Sequence, residues 1–293
     1  MTASMVLAGG EFLTRVNSTL PSLGETDRRV IETMLANPEA VVRGTVTDLA
    51  ARAGTAQSSA VRTCQRLGYR GYQDVKVAIT RDLANQTQNS SELAHEDGID
   101  AATSASEIVE RIFRRSGRAL IDAAGTVDAD TLSAAIERIA TANRVLVIGN
   151  GTSAAPAHDA AYRLQVLGIV ASAPPEVFAQ HLGARHLDPG CVCLVISHTG
   201  ASRESLLVAE AARAAGAYVV AITSFVSSPL TRTVDGVLVA GGPEYGFRLE
   251  AMASRLAHLA VVDALFVGVA VRRPQTSATA LDLMADVTVD HSL

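Results

Sequence analysis

Two short stretches hold the residue types best suited to chemistry. Gly149-Asn-Gly-Thr-Ser153 and Ser197-His-Thr-Gly-Ala-Ser202 each follow an apolar run and precede a helical pattern. In the first, Gly149 and Gly151 let the backbone close on an anion, and the helix start that follows offers free N–H groups and a favourable dipole. In the second, Ser197, Thr199 and Ser202 lie around Gly200, so hydroxyl and backbone donors can enclose a phosphate without any lysine. The bland alternative for this stretch is a helix start capped by a hydroxyl. The first stretch also fits the dinucleotide fingerprint Gly-x-Gly-x-x-Ala, but such a site wants an acidic residue about 20 positions further on. Ile169-Val-Ala-Ser-Ala-Pro174 supplies no carboxylate until Glu176. Nicotinamide binding is disfavoured, and no cofactor is expected.

A third set lies near the N-terminus. A helix from about Ser58 to Leu67 would pack Ala60, Val61, Cys64 and Leu67 inward and turn Gln57, Ser58, Ser59, Arg62, Thr63, Gln65 and Arg66 outward. Arginine can bind guanine through two bonds, glutamine can bind adenine, and hydroxyls serve bases or phosphates. The set therefore reads as a DNA-contacting face, with Gln57, Ser58, Ser59, Arg62, Thr63 and Arg66 as contacts. Spacing alone fits the solvated face of an ordinary helical bundle as well.

Acid–base and metal chemistry find little support. Glu250, at the start of a helix from Leu249 to Val271, is the best placed carboxylate, and His181, His186 and His198 are the other candidates. Each reads as structural or as a polar ligand contact, so no catalytic residue is assigned. His181 and His186 stand at i, i+5, which points them apart on a helix, and no metal site is expected. The cysteines Cys64, Cys191 and Cys193 form neither a disulfide framework nor a zinc set, which suits a reducing cytoplasm. Cys191 and Cys193 share one face of an apolar strand and read as core.

These residues need scaffolds of two kinds. The first 85 residues read as helices. An apolar stripe of Leu23, Val30, Ile31, Met34 and Leu35 stops at Asn37-Pro38, a second helix carries Val46, Leu49, Ala50 and Ala53, the Ser58–Leu67 helix follows, and another runs from Gln73 to Ala84. Helices joined by a Gly-containing turn make a helix-turn-helix candidate. A polar stretch from Asn85 to Gly98 marks a linker. Helical patterns cover Ser106 to Ala123 and Asp130 to Ala140. From Arg144 five apolar runs alternate with helices: Val145–Ile148, Ile169–Ala171, Val192–Ile196, Tyr218–Ile222 and Val237–Val239. That pattern predicts a parallel sheet covered on both faces. In the order 2-1-3-4-5 its first and third strands are neighbours at the switch point, where ligands bind outside the carboxyl ends. The domains expected are 1–85, a linker 86–105, and 106–293.

The chain of 293 residues is 48% hydrophobic and 19% charged, enough for two cores and against wholesale disorder. No export signal is read at the start. The longest apolar stretch, Leu256 to Val271, is interrupted by His258 and Asp263 and reads as a buried helix, so no membrane partner is expected. The net charge of −5 divides unevenly: residues 1–85 carry +2 and the remainder −7, which suits a DNA-binding head on an acidic body.

Leu23-Gly-Glu-Thr-Asp-Arg-Arg-Val-Ile31, Asn37-Pro38, Thr47-Asp-Leu-Ala-Ala-Arg-Ala-Gly54 and Arg62-Thr-Cys-Gln-Arg-Leu-Gly-Tyr-Arg-Gly-Tyr72 resemble the head of RpiR-type regulators, which place a helix-turn-helix before a sugar isomerase (SIS) domain. The two hydroxyl-rich stretches, with Gly216-Ala217, Ile222-Thr-Ser224 and Ser228-Pro-Leu230, resemble the SIS domain itself. The resemblance implies an all-α helix-turn-helix head and a three-layer α/β SIS body with a five-stranded parallel sheet of flavodoxin-like order. It implies a transcription regulator that binds operator DNA and answers to a phosphorylated sugar; because one short helix reads few bases and symmetry pairs two half-sites, a homodimer or homotetramer is expected. Carried over by position, Ser197, Thr199 and Ser202 look like the phosphate binders, Thr152 and Ser153 like contacts to the sugar or its phosphate, and Ser228 approaches from the loop after the fourth strand. Gly151, Gly200 and Glu250 complete the expected ligand set. Lys76 is the only lysine and lies in the head, so the amine chemistry of some SIS enzymes is missing from the body and a sensor is favoured. The alternatives are a phosphosugar isomerase with a helical oligomerisation arm, and a DNA-binding protein whose SIS domain only dimerises it.

Overall fold

The computed structural model describes residues 11–19, 23–89, 99, 103–241 and 252–292. They form two compact units, 11–126 and 127–241 with 252–292.

Asn37-Pro38 ends one helix and starts another in the first unit. Helices α1 (Glu11–Thr19) and α2 (Glu25–Ala36) precede the pair, and α3 (Pro38–Arg43) begins at the proline. The Asn37 side chain accepts the Ala40 N–H at 3.0 Å, and proline at the first helical position loses no bond it would have made. The sequence reading had only the stop. Then come α4 (Val46–Arg52), opened by a reciprocal Thr45–Asp48 cap, α5 (Gln57–Arg66) and α6 (Tyr72–Asn89), which runs past the expected end at Ala84. Phe12, Val30, Met34, Leu49, Leu67 and Ile79 form the centre of the head core. Helix α7 (Ala105–Ala124), with a Ser104–Glu107 capping box, packs on α1, and Arg15 Nη2 donates to the Gly125 carbonyl at 2.9 Å. The structure thus groups α7 with the head helices, whereas the sequence reading begins the body at residue 106.

The second unit opens with α8 (Ala129–Ala140) and alternates β1 (Arg144–Ile148), α9 (Ala154–Val166), β2 (Ala171–Ser172), α10 (Val177–Arg185), β3 (Cys191–Ile196), α11 (Arg203–Ala214), β4 (Tyr218–Thr223) and β5 (Gly236–Val239). Helices α12 (Met252–Arg272) and α13 (Pro274–Asp290) follow. The five strands are parallel, in the order β2-β1-β3-β4-β5. Strand residues alternate between two helical layers. Leu146, Ile148, Cys191, Cys193, Val195 and Val219 share a core with α10 and α11. Leu194, one position off that set, meets α8, α9 and α12 through Ile139, Ala160, Leu164, Val262 and Leu265. Burial on both faces is why these strands are continuously apolar. Helix α12 is long and apolar enough to cross a membrane, yet Ala257, His258, Val261, Val262, Leu265 and Val269 are buried against α8, α9 and β4.

Candidate functional site

On α5 the buried stripe is Ala60, Thr63, Cys64 and Leu67, the i, i+3, i+4, i+7 set of one helix face. This corrects the expectation for two residues. Thr63 is completely buried and cannot contact DNA, while Val61 lies partly exposed beside the stripe. The Thr63 hydroxyl tolerates burial because its single proton is shared between Asp27 Oδ1 at 2.8 Å and the Ser59 carbonyl at 3.0 Å. Gln57, Ser58, Arg62, Gln65 and Arg66 are exposed and Ser59 is half-buried. Arg62 Nε bonds the Ser58 carbonyl at 3.3 Å, and Arg66 Nη1 pairs with Asp27. The helix therefore presents a polar, cationic stripe on a rigid support, the arrangement a major groove accepts.

In the body, both hydroxyl-rich loops leave the same edge of the sheet. Ile148 of β1 pairs with Val195 of β3, so Gly149 and Ser197 begin adjacent loops at the strands' carboxyl ends. After β1, Gly149 approaches the Ser153 backbone so closely that an added Cβ would lie 2.3 Å from its carbonyl oxygen. Residues 151–153 make one 3₁₀ turn and α9 begins at Ala154. Gly151 and Thr152 are exposed and Ser153 is buried. The loop is braced from α10: the side-chain amides of Asn150 and Gln180 bond each other at 3.2 Å in both directions, and Gln180 Nε2 donates to the Pro174 carbonyl at 2.9 Å.

The loop after β3 is knit to the one after β4. Gly200 has φ +61° and sits against Ser228, whose Oγ would be 2.2 Å from any Cβ placed there. The Leu230 N–H donates to the Gly200 carbonyl at 2.9 Å. The Ser197 hydroxyl accepts the Gly200 N–H at 3.2 Å and Thr199 Oγ1 accepts the Ala201 N–H at 3.3 Å. Ser202 occupies the cap position of α11 without capping it, and its hydroxyl donates to Ser205 at 2.7 Å. Ser153 likewise precedes α9 without a side-chain cap. Two helix starts, each preceded by a serine that does not cap it, thus flank one edge of the sheet, a setting that favours an anion. The structure brings Ser197, Gly200 and Ser228 together and sets Ser153 on the neighbouring strand's loop. Glu250, expected among the ligand contacts, lies outside the described residues.

The sequence reading missed a buried chain of polar groups beside this loop. His198 Nδ1 lies 2.8 Å from Ser224 Oγ, which lies 3.1 Å from His258 Nε2. The His198 backbone carbonyl accepts from the Ser224 N–H and from the fully buried Thr223 hydroxyl, each at 3.1 Å. Burial first, and the neighbouring His198 second, hold His258 down to about 4 against a hydrogen bond with the Ala240 backbone, so its ring is neutral at pH 7. A lone histidine inside the apolar stretch of α12 was the available signal. Among the described residues no group of three or more His, Cys, Asp or Glu could hold a metal.

A three-helix reader seated on a helical core and a doubly wound sheet with paired anion-type loops are the two halves of a helix-turn-helix regulator carrying an SIS domain. The helix-turn-helix domain of the rpiR family matches residues 10–86, and the SIS domain matches residues 138–268. An uncharacterised HTH-type transcriptional regulator of Caldanaerobacter subterraneus is 30% identical over 86% of this chain and 88% of its own length. HexR of Pseudomonas aeruginosa, an HTH-type transcriptional regulator, is 30% identical over 89% of this chain and 90% of its own. The NanR protein of Vibrio vulnificus, solved with ManNAc-6P, superposes with a TM-score of 0.61 at 26% identity, covering 96% of this chain and 99% of that one. This chain belongs to the rpiR family of helix-turn-helix transcriptional regulators.

Proposed function

We propose that the chain reads operator DNA through α5 and that a phosphorylated sugar, bound at the carboxyl ends of β1 and β3, changes that binding. The observation that carries the reading is the adjacency of the 149–153 and 197–202 loops, with Ser228 packed on Gly200. The ligand set is Gly151, Thr152, Ser153, Ser197, Thr199, Gly200, Ser202, Ser228 and Glu250, and the DNA set is Gln57, Ser58, Ser59, Arg62 and Arg66. NanR, a relative over nearly the whole chain, was solved with ManNAc-6P, which supports a sugar phosphate as the effector class. Residues 1–85 supply DNA binding and the sheet-bearing unit from residue 127 the sensor, with α7 between them packed on the head rather than, as the sequence alone suggests, opening a sensor at residue 106. A homodimer or homotetramer acts in the cytoplasm, because one short helix reads few bases and symmetry pairs two half-sites.

The test is operator affinity by fluorescence anisotropy with and without a panel of hexose, pentose and N-acetylhexosamine phosphates. The effective sugar should shift affinity by about 5–150-fold, the usual range of coupling between sites. Ser197→Ala combined with Ser202→Ala should abolish that shift and leave ligand-free DNA binding within about twofold. A full response in the double variant would place the effector elsewhere.

The body senses rather than converts the sugar. It has no lysine, and the neutral, buried His258 is hydrogen-bonded to Ser224 within the protein. Incubation with the same phosphates should show no aldose–ketose turnover approaching about 1 s⁻¹, the lower end of ordinary enzyme rates. Turnover at that rate would make the body an isomerase.

A further inference from the structure

The carboxylate of Asp27 is the one acidic group that touches the DNA-facing helix from within the head core among the described contacts, and it touches it twice. Asp27 lies in the first turn of α2 and is 3% exposed. Its Oδ1 accepts from the buried Thr63 hydroxyl at 2.8 Å, and its Oδ2 accepts from Arg66 Nη1 and from the Gly24 N–H at 3.3 Å. The same carboxylate therefore closes the start of α2, seats the middle of α5 and holds the guanidinium at the end of α5.

Arg66 is unlike the other cation on that stripe. Arg62, one turn earlier, is anchored among the described contacts to its own helix backbone through Ser58. Arg66 is tied to a buried charge on another helix while its side chain stays 58% exposed. A guanidinium carries five donors in a planar fork, so the bond to Asp27 leaves others to face outward. An arginine already held in place forfeits less side-chain freedom when a phosphate or base edge arrives. Being buried, the carboxylate is shielded from the DNA by the group it orients.

We propose that Asp27 is a positioning residue for DNA readout, fixing Arg66 in the orientation in which it meets the operator. The inference rests on α5 being the DNA-reading helix. It predicts that the effect of Asp27 on operator binding runs through Arg66, beyond any contribution to the fold.

The test uses the full-length chain and a roughly 30-base-pair duplex selected by that chain from random-sequence DNA, with a scrambled duplex of equal composition as the non-specific probe. Asp27→Asn keeps the size and loses the charge. At fixed salt it should lower operator affinity about 3–12-fold while non-specific affinity stays within about twofold, since unanchoring one side chain costs roughly this much. In an Arg66→Ala background the same substitution should change operator affinity less than about twofold, the non-additivity expected of directly coupled residues. Arg66→Lys keeps a positive charge near Asp27 but lacks the fork, so it should lose operator affinity while its salt dependence stays near that of the parent. Should Asp27→Asn not fold, as judged by circular dichroism, Asp27→Glu, which keeps the charge but displaces it, takes its place in the same comparison with and without Arg66. Equal losses from Asp27→Asn with and without Arg66 would show that Asp27 acts through the seating of α5 alone and would overturn the proposal. So would parental operator affinity in Arg66→Lys. If Arg62→Ala and Arg66→Ala both bind the selected duplex as the parent does, the reading of α5 itself fails, and this proposal with it.

Discussion

Replacing Gly200 by alanine should lower the stability of the SIS body by about 2–5 kcal/mol and abolish the proposed response to sugar phosphates. Two costs add. The residue has φ +61°, where an L side chain costs roughly 1–2 kcal/mol. The new methyl would stand 2.2 Å from Ser228 Oγ and 2.8 Å from Ser228 Cβ, an overpacking worth about 1–3 kcal/mol. Ser228 cannot simply step aside. Its N–H donates to Thr231 Oγ1 at 2.9 Å, its hydroxyl accepts the Thr231 N–H at 3.3 Å, and Leu230 two residues on is bonded to the Gly200 carbonyl. Gly151→Ala provides the control. It shares the positive φ, at +59°, but its Cβ meets nothing within 4 Å, so only the roughly 1–2 kcal/mol backbone cost applies. Urea unfolding of the three proteins, with operator binding in parallel, measures the series. Stability of Gly200→Ala within 0.5 kcal/mol of Gly151→Ala, a margin of about the usual scatter, would mean that the loop does not pack on Ser228 as described.

Acidification should destabilise the body through His258, by about 3 kcal/mol between pH 7 and pH 4. The folded ring holds its proton only below about 4, against an ordinary value of 6.5. The unfolded chain therefore takes up a proton first as pH falls. The stabilisation is complete above 6.5 and is lost through the window from 6.5 down to 4, at about 1.36 kcal/mol per pH unit of separation. Asp82 in the head has the opposite sign. Burial pushes its carboxyl up to about 6, outweighing the N–H bonds from Phe12 and Glu11, so its contribution to stability falls as pH rises from about 4 to 6. The two partly cancel in the whole chain, which makes the comparison with His258→Gln decisive. Urea midpoints at pH 7.5 and 4.5 should show that variant losing about 2.5 kcal/mol less than the parent on acidification. Equal pH dependence in the two proteins would mean that His258 is not buried neutral beside Ser224.

Much of the fold was legible because it follows from local periodicity. The continuous apolar runs from Val145 to Val239 could serve only strands buried on both faces, and the helices between them required parallel crossovers. Where the reading failed, a polar residue or a short element was judged by type. The hydroxyl of Thr63 suggests an outward position, although its spacing from Ala60, Cys64 and Leu67 puts it on the buried stripe. Asn37-Pro38 signals the end of α2, yet asparagine before proline is also a good start, and α3 begins there. Helices α10 and α13 carried too little periodic contrast to be read.

The sequence by itself determined the two-part plan, the strand and helix types, and the residue classes at each loop, because each depends on neighbours within a few turns of chain. Tertiary structure alone decided which of those residues meet. Asp27 reaches Thr63 across 36 positions and Ser224 reaches His258 across 34. Ser228 arrives at Gly200 only because β3 and β4 pair in parallel and bring their trailing loops to one edge. Such contacts leave no periodic trace in the sequence. They are set by the register of the sheet and by the packing of helices on it, and the carboxylate under α5 and the serine between two histidines become visible only there.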